Sequence, residues 1–430
     1  MKSIIKKIII QILTLEAKLA LRKFKPKIVA VTGSVGKTST KDALYTMLSE
    51  FYHVRKTHKS YNSEIGIPLT ILGCPNGWGN MSIWFQNILS GASLVLFKKE
   101  YPEYLVLEIG ADRPGEIKEV MQWVHPDISV VTRIGDVPVH VEFYKSQAEV
   151  VKEKSELVRG VKPDGAVILN ADDKDVIGFK SLTTASCYTF GLSEGTTVSA
   201  SYIEPYYEKG NIVAGTSFKV EINGNTMPVV LKGVLGTQFA FPVLASFAVA
   251  SALGLSPIKV AEAFRKPFAP PGRMNILPGI NGSTLIDDTY NASPLAIEEA
   301  SRTIQKTKAD RRKIAVLGDM LELGKYSKEE HERIGKLASE VFTYIFTVGL
   351  RAKGFADGAL SVGFPEEKIK SFSSSEEAGE ALKSFVEAGD LVYLKGSQGI
   401  RMEKATKMLL EHPEKAGELL VRQEDEWLNR

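Results

Sequence analysis

The run Thr32-Gly33-Ser34-Val35-Gly36-Lys37-Thr38 holds the residue types needed to grip a polyphosphate. Gly33 and Gly36 allow the backbone N–H groups of Ser34 and Val35 to converge on phosphate oxygens, and a helix starting there adds positive potential. Lys37 would reach the β- and γ-phosphates, and the Thr38 hydroxyl would ligate Mg²⁺. The general phosphate-loop pattern has a further glycine five positions before Gly36; this chain has Val31 there. Mg²⁺ requires hard oxygen ligands, and Glu108 closes the apolar run Tyr104-Leu105-Val106-Leu107. Alone it would read as a solvated glutamate at a strand end. Beside a phosphate loop in the same domain, it reads as a metal ligand.

These residues need elements to hold them. Lys27–Val31 reads as a short buried strand, residues 33–36 as a glycine turn and Lys41–Tyr52 as a helix, the opening of an α/β nucleotide-binding domain. Apolar runs at Tyr104–Ile109, Ile128–Ile134 and Ala166–Leu169 alternate with helical stretches, which predicts a parallel sheet covered by helices. Residues 196–235 change character. Asn223-Gly224 between β-prone runs signals a hairpin, so a small antiparallel portion is expected there. Alanine-rich helical sequence follows over Val243–Leu253.

Pro267, Pro270, Pro271 and Gly272 then punctuate the chain. A second α/β series starts beyond them. Its strands are predicted at Thr284–Asp287, Lys313–Leu317, Tyr344–Val348 and Leu391–Leu394; its helices at Pro294–Gln305, Lys328–Val341, Ser375–Ala388 and from Arg401. The expected fold class is α/β: a central phosphate-loop ATPase domain with a parallel sheet and a small antiparallel part, then a Rossmann-like C-terminal domain. The expected boundaries are 1–27 for a basic N-terminal helix, 28–273 for the central domain and 274–430 for the C-terminal one.

Composition narrows the class. The chain has 430 residues, enough for two to four domains, with ordinary hydrophobic (44%) and charged (24%) shares. Cys74 and Cys187 are its only cysteines, which excludes a disulfide scaffold and fits a reducing, cytoplasmic location. A net charge of +3 shows no nucleic-acid footprint. The charge is uneven, however: residues 1–27 carry eight Lys and Arg against Glu16 alone, leaving the remainder at −4. This segment is rich in Ile and Leu but too interrupted by lysine to span a membrane. Two readings stand: a basic amphipathic helix resting on an anionic membrane through residues 1–22, or a helix packed on the next domain. The uncharged stretch Met81–Phe97 contains Ser82, Gln86, Asn87, Ser90 and Ser93 and reads as a buried helix rather than a span.

Several segments together resemble the Mur ligase family of ATP-dependent amide-bond ligases. They are Thr32–Thr38, Tyr61–Thr70, Glu108–Ile117, His140-Val141-Glu142, Lys154-Ser155-Glu156, Asn170–Asp173, Pro271-Gly272-Arg273, Asp287–Pro294, Val316–Gly324 and Lys395-Gly396-Ser397. They occur in the family's order and cover nearly all of residues 28–411. The Leu317–Gly324 and Tyr290-Asn291 segments resemble the MurF-type branch, whose members join D-alanyl-D-alanine to a muramoyl-peptide precursor of the cell wall.

The resemblance implies a chemistry. ATP phosphorylates a substrate carboxylate, an amine attacks the acyl phosphate, and phosphate leaves. It implies two Mg²⁺ ions, one held by Thr38 and Glu108 and the other with help from His140. It also implies a CO₂-modified lysine, a carbamate, at Lys154. Without the family, Lys154 would read as a charge on a solvated helix face and His140 as structural. Lys37, His140 and Lys154 are thus the expected catalytic set. Gly33 to Thr38, Arg273, Asp288 and Asn291 are expected on the nucleotide, although Asp288 and Asn291 alone would read as helix-capping residues. Asn62, Lys395 and Ser397 are expected near substrate, in a monomer.

The sequence also departs from the family. Only 31 residues precede Thr32, where MurF-type enzymes carry a UDP-binding domain; this raises a lipid-linked or otherwise different acceptor as an alternative. Gln238, Phe239 and Pro242 stand where the family has His and Asn, and Ser293 and Gln398 also differ. A nucleotide-binding module that does not ligate is the reading from another class; retention of Lys37, His140 and Lys154 argues against it.

Overall fold

The computed structural model describes the chain except residues 1, 59–64, 79, 98, 136–143, 145, 209, 210, 267, 425, 426 and 428–430. Two units form. One comprises residues 1–201, 219–229 and 240–268; the other comprises residues 202–218, 230–239 and 269–430.

In the first unit, α1 (Lys2–Phe24) leads into β1 (Lys27–Thr32), and α2 (Lys37–Leu48) follows the glycine turn. Next come β2 (Val54–Lys56), α3 (Gly66–Leu72), α4 (Met81–Leu96), β3 (Tyr104–Glu108) and α5 (Glu116–Met121). Then β4 (Ile128–Val131), α6 (Gln147–Arg159), β5 (Ala166–Asn170), α7 (Lys174–Ile177) and β6 (Ser186–Gly191) complete the alternation. Strands β2-β3-β1-β4-β5-β6 lie side by side and all pair in parallel. β1, β3, β4 and β5 are apolar and buried almost throughout, as a sheet covered on both faces requires. The antiparallel expectation holds in residues that the two units divide between them: β7 (Val198–Glu208), β8 (Ile212–Ile222) and β9 (Asn225–Lys232) are neighbours in that order, and both residues of the two-residue β8–β9 turn, Asn223 and Gly224, have positive φ. That conformation is the one an Asn-Gly pair adopts most readily. α8 (Ala240–Ala252) and α9 (Pro257–Ala263) close the unit, and α8 lies against α2.

Two N-terminal expectations meet the structure. α1 buries Ile9, Leu13, Ala17 and Ala20 in a core shared with α3 and α4, so it is integral to the unit. α4 is a helix as expected, but only Trp84, Asn87, Gly91 and Leu94 are buried. Its opposite face is exposed although it is apolar. The sequence signal failed because a helix without a single charge looks the same whether one face or all of them are covered.

In the second unit, β10 (Asn275–Pro278) pairs antiparallel with β11 (Thr284–Asp288). α10 (Pro294–Lys306), β12 (Lys313–Gly318), α11 (Ser327–Val341), β13 (Tyr344–Val348) and α12 (Lys353–Ser361) follow. β14 (Ile369–Phe372), α13 (Ser375–Lys383), β15 (Leu391–Lys395), α14 (Glu403–Leu409) and α15 (Ala416–Leu419) end the chain. The strand order is β10-β11-β15-β12-β13-β14, parallel from β11 onward. α13 is shorter than expected: its helix stops at Lys383 so that Val386 can turn into the core.

Candidate functional site

β1 lies between β3 and β4, so residues at the carboxyl ends of these three strands share one edge of the sheet. Ligands of open α/β sheets gather at such an edge. Here the chain turns through Gly33 and Gly36, with φ of 142° and 85°. A Cβ on Gly33 would stand 2.0 Å from Thr132 Oγ1, so only glycine fits. The N–H groups of Ser34 and Val35 donate to the Arg133 carbonyl at 2.7 and 3.0 Å, and Thr132 Oγ1 donates to the Val35 carbonyl at 2.7 Å. The segment after β4 therefore fixes the loop. Lys37 Nζ donates to the carbonyls of Gly33 (2.8 Å) and Ser34 (3.2 Å), which keeps its ammonium curled over the turn.

Thr38 and Glu108, expected together, are together: Thr38 Oγ1 donates to Glu108 Oε1 at 3.1 Å. Register places Glu108 beside Val31, and the Thr57 hydroxyl accepts from its backbone N–H. Glu108 Oε2 is buried without a hydrogen-bond partner, and Lys41 Nζ is 3.7 Å away. The ammonium offsets the charge of this buried oxygen, but the oxygen keeps lone pairs that no donor fills. Oxygens from Thr38 and Glu108 at one point suit a hard divalent cation, and the donor set fits Mg²⁺. Among the described residues no cluster of three or more His, Cys, Asp or Glu side chains forms a metal cage. Mg²⁺ keeps several waters and takes one or two protein ligands beside a phosphate, a number that Thr38 and Glu108 supply.

Lys154 is the other expected residue that the fold brings to this edge. It lies on α6 and is buried, contrary to its appearance as a solvated helix charge. Burial, and next the positive charge of Lys37, pull its ammonium down to about 8. Its neighbour Glu153 accepts from the N–H groups of Gly115 (2.6 Å) and Ile117 (2.7 Å), tying the segment after β3 to α6. His140 and Asn62 lie outside the described residues.

Sequence reasoning missed Lys41, Thr132, Glu153 and Asp173. Lys41 falls one helical turn after Lys37, a signal for a second ammonium facing the same side. Asp173 caps α7 and also accepts from the N–H groups of Ile134 and Gly135, fixing the chain where it leaves β4. Burial opposes its charge, yet these backbone donors hold its carboxyl below the usual range.

In the second unit, β11 and β15 pair so that Asp288 and Lys395 are register partners. Their side chains form a buried ion pair at 2.5 Å, and Tyr393 Oη donates to the same carboxylate oxygen at 3.3 Å. Lys395, expected near an amine substrate, is thus held by Asp288. Ser397 Oγ accepts from the Leu321 N–H at 2.9 Å, fastening the segment after β12. The Arg273 guanidinium stacks over the Tyr290 ring, 4.2 Å from its centre. Gly272, at φ 72°, lets the backbone pass Tyr290, whose N–H donates to the Gly272 carbonyl. Arg422, itself paired with Glu403, donates to the carbonyls of Thr289 and Tyr290 and so braces the turn that carries Asn291. The Asn291 side chain accepts from the Ala292 N–H, and Ser293 caps α10. Gln238 donates to the Leu235 carbonyl and Phe239 is buried.

Comparison with known proteins extends this geometry. The sequence model of the Mur ligase middle domain matches residues 31–250, and that of the Mur ligase glutamate ligase domain matches residues 272–398. The chain is 28% identical over 398 residues to the UDP-N-acetylmuramoyl-tripeptide–D-alanyl-D-alanine ligase of Bacillus subtilis, covering 92% of this chain and 79% of the relative. The ligase of the same description from Mycobacterium tuberculosis is 31% identical over 318 residues, covering 72% of this chain and 56% of the relative. Among solved structures, MurF ligase from Thermotoga maritima in complex with ADP superposes with a TM-score of 0.73. It is 28% identical, with 95% of this chain and 84% of that one covered. MurF from Acinetobacter baumannii gives 0.75 at 26% identity, covering 92% and 79%.

Proposed function

The chain belongs to the Mur ligase family, and from that premise we propose that it joins D-alanyl-D-alanine to the peptide of a muramoyl precursor. It is an ATP-dependent ligase of peptidoglycan-precursor synthesis. The observation that carries its chemistry is the pairing of Thr38 with Glu108 beneath the phosphate loop, with one buried Glu108 oxygen unsatisfied.

The peptide carboxylate oxygen attacks the γ-phosphorus of ATP, ADP departs, and an acyl phosphate forms. The amine nitrogen of the dipeptide then attacks the acyl carbon, loses a proton, and phosphate leaves with the C–O electron pair. Two anions must meet in the first step, so the site has to supply positive charge in place. Contrary to the expectation from the glycine turn, the Ser34 and Val35 N–H groups are taken by the Arg133 carbonyl, so the N-terminus of α2 orients the phosphates, and Lys37 moves from the loop carbonyls to the β- and γ-oxygens. Thr38 and Glu108 hold Mg²⁺, which when bound neutralises phosphate charge. Lys41 fixes Glu108 from below. Lys154, buried on α6 near Lys37, is assigned as the carbamate that, with His140, supports a second ion. Arg273, Asp288 and Asn291 are assigned to the nucleotide, and Asn62, Lys395 and Ser397 to the substrates, Lys395 acting through Asp288.

The reading extends to a functional division at residues 28–273 and 274–430, and to a cytoplasmic monomer that touches the inner membrane face through residues 1–22. Its test is the dependence of ADP release on both substrates. Release should require Mg²⁺, the muramoyl tripeptide and D-alanyl-D-alanine together. Equal release with ATP alone would sink the ligase assignment.

A further inference from the structure

α1 and α4 lie against each other, and because Glu16 meets Gly91 while Lys23, further along α1, meets Leu94 and Phe97, further along α4, the two run in the same direction. Glu16 sits on Gly91, where any added Cβ would meet its carboxylate at 2.1 Å. Two helical turns later, Lys23 Nζ donates to the carbonyls of Leu94, Val95 and Phe97, closing the end of α4. Glu16 and Lys23 therefore mark the flank of α1 that meets α4. Ile8, Leu15 and Leu19 fall one step outward from that flank. In α4, Ile88 and Val95 pack on the core beside Gly91, and Met81, Phe85, Leu89 and Leu96 follow outward from them. In helices that run in the same direction, those two outward steps lead to the same side. The stripes therefore form one surface; Trp78, three residues before α4, is exposed as well.

This surface is apolar to an unusual degree. Trp78 is 69% exposed, Phe85 63%, Leu89 54% and Leu96 74%. A contiguous apolar patch of this kind marks an interaction site. Its charge is one-sided: between Ile65 and Lys99 the chain has no Asp or Glu. Arg22, seven residues after Leu15 and three after Leu19 and so on their side of α1, is exposed, as are Lys25 just beyond the helix and Lys99 after α4; Glu100 beside Lys99 is exposed too, and Glu16, the one acid of α1, is buried. Among the described residues no helix is long and apolar enough to cross a membrane. An apolar face with a tryptophan at its edge and lysines at its rim matches a surface that lies on lipid rather than through it. A protein partner of matching charge would have to be acidic and apolar at once; an anionic bilayer presents both layers at the right depth.

We propose that the exposed faces of α1 and α4 together form a docking surface for an anionic lipid bilayer, with Met81, Phe85, Leu89 and Leu96 entering the headgroup boundary and the flanking lysines meeting lipid phosphates. The proposal rests on the peripheral contact included in the function above, and enlarges it from residues 1–22 to α4, which contributes most of the apolar contact. Deleting α1 cannot test it, because Leu13, Ala17 and Ala20 are core residues.

The test is flotation of the full chain with vesicles of phosphatidylglycerol and phosphatidylcholine in equal parts, or of phosphatidylcholine alone. The anionic vesicles should bind at least about tenfold better, and added salt should weaken the binding. Phe85→Ser with Leu89→Ser, and separately Arg22→Glu with Lys25→Glu, should each lower binding about tenfold. Brominated lipid should quench the wild-type fluorescence, and Trp78→Phe should remove most of that quenching. Failure of the chain to float, or equal flotation of the Phe85/Leu89 variant, overturns the proposal. So does a dimer in sedimentation that this variant abolishes, since a second copy would then cover the face. ADP release with soluble substrates should be the same in all variants. Loss of flotation with that release intact removes the docking surface alone; absent release in the wild type removes the ligase reading and leaves the vesicle result standing.

Discussion

Glu108 has one oxygen bonded to Thr38 and the other buried, without a hydrogen bond and ion-paired with Lys41 at 3.7 Å. Such a carboxylate serves chemistry more than stability. Glu108→Gln keeps the hydrogen bond to Thr38 and removes the anionic oxygen. Turnover should fall by about two orders of magnitude or more, while the melting temperature stays within a few degrees of wild type. Steady-state kinetics beside calorimetry check both halves. Lys395 behaves in the opposite way. Lys395→Met strands the buried Asp288 carboxylate, a loss of about 3–5 kcal/mol. The melting temperature should drop by several degrees, and Asp288→Asn in the same chain should recover much of it. At this scale Lys37, Thr38 and Glu108 were legible because glycine spacing and strand ends are local features. Glu153 and Asp173 were not, because the backbone groups they hold, at Gly115, Ile117, Ile134 and Gly135, lie in segments remote in the chain and belong to no motif; Lys41 carried only its helical spacing from Lys37. The burial of Lys154 was hidden too: only the packing of α6 against the loop edge makes that position different from any other lysine on a polar helix.

At the scale of elements, α1 meets α4 through Glu16. Burial lifts this carboxyl to about 7. Between its ordinary value near 4.5 and about 7, the folded chain holds a proton that the unfolded chain has released. Stability therefore falls as pH rises through that window, and the penalty is complete above it. Glu16→Gln should raise the melting temperature by a few degrees at pH 8 and leave it unchanged at pH 4. A second contact is tighter. A Cβ on Gly335 would stand 2.1 Å from the Phe355 carbonyl, so Gly335→Ala must push α11 from α12 and lower the melting temperature by several degrees. The strands most visible in the sequence, β1, β3, β5, β12, β13 and β15, are the buried apolar runs. β2, β10 and β14 escaped notice because they are short strands at the sheet edges, with exposed or half-buried residues. α12 is short and carries Gly354 and Gly358, which it needs to approach α11 and which weaken its helical signal.

For the molecule as a whole, the order of motifs along the chain carried the family, because no single motif is specific and their succession is. The location of the apolar face was not legible in the same way. The positive charge of residues 1–27 pointed toward lipid, but the larger share of the exposed apolar surface lies on α4, where the absence of charge suggested burial. Purified chain incubated with Mg-ATP, bicarbonate, UDP-muramoyl-tripeptide and D-alanyl-D-alanine should give the pentapeptide product by mass spectrometry, with one ADP for each product formed. Intact ATP binding with no pentapeptide would contradict the proposed substrates and turn the search to lipid-linked acceptors.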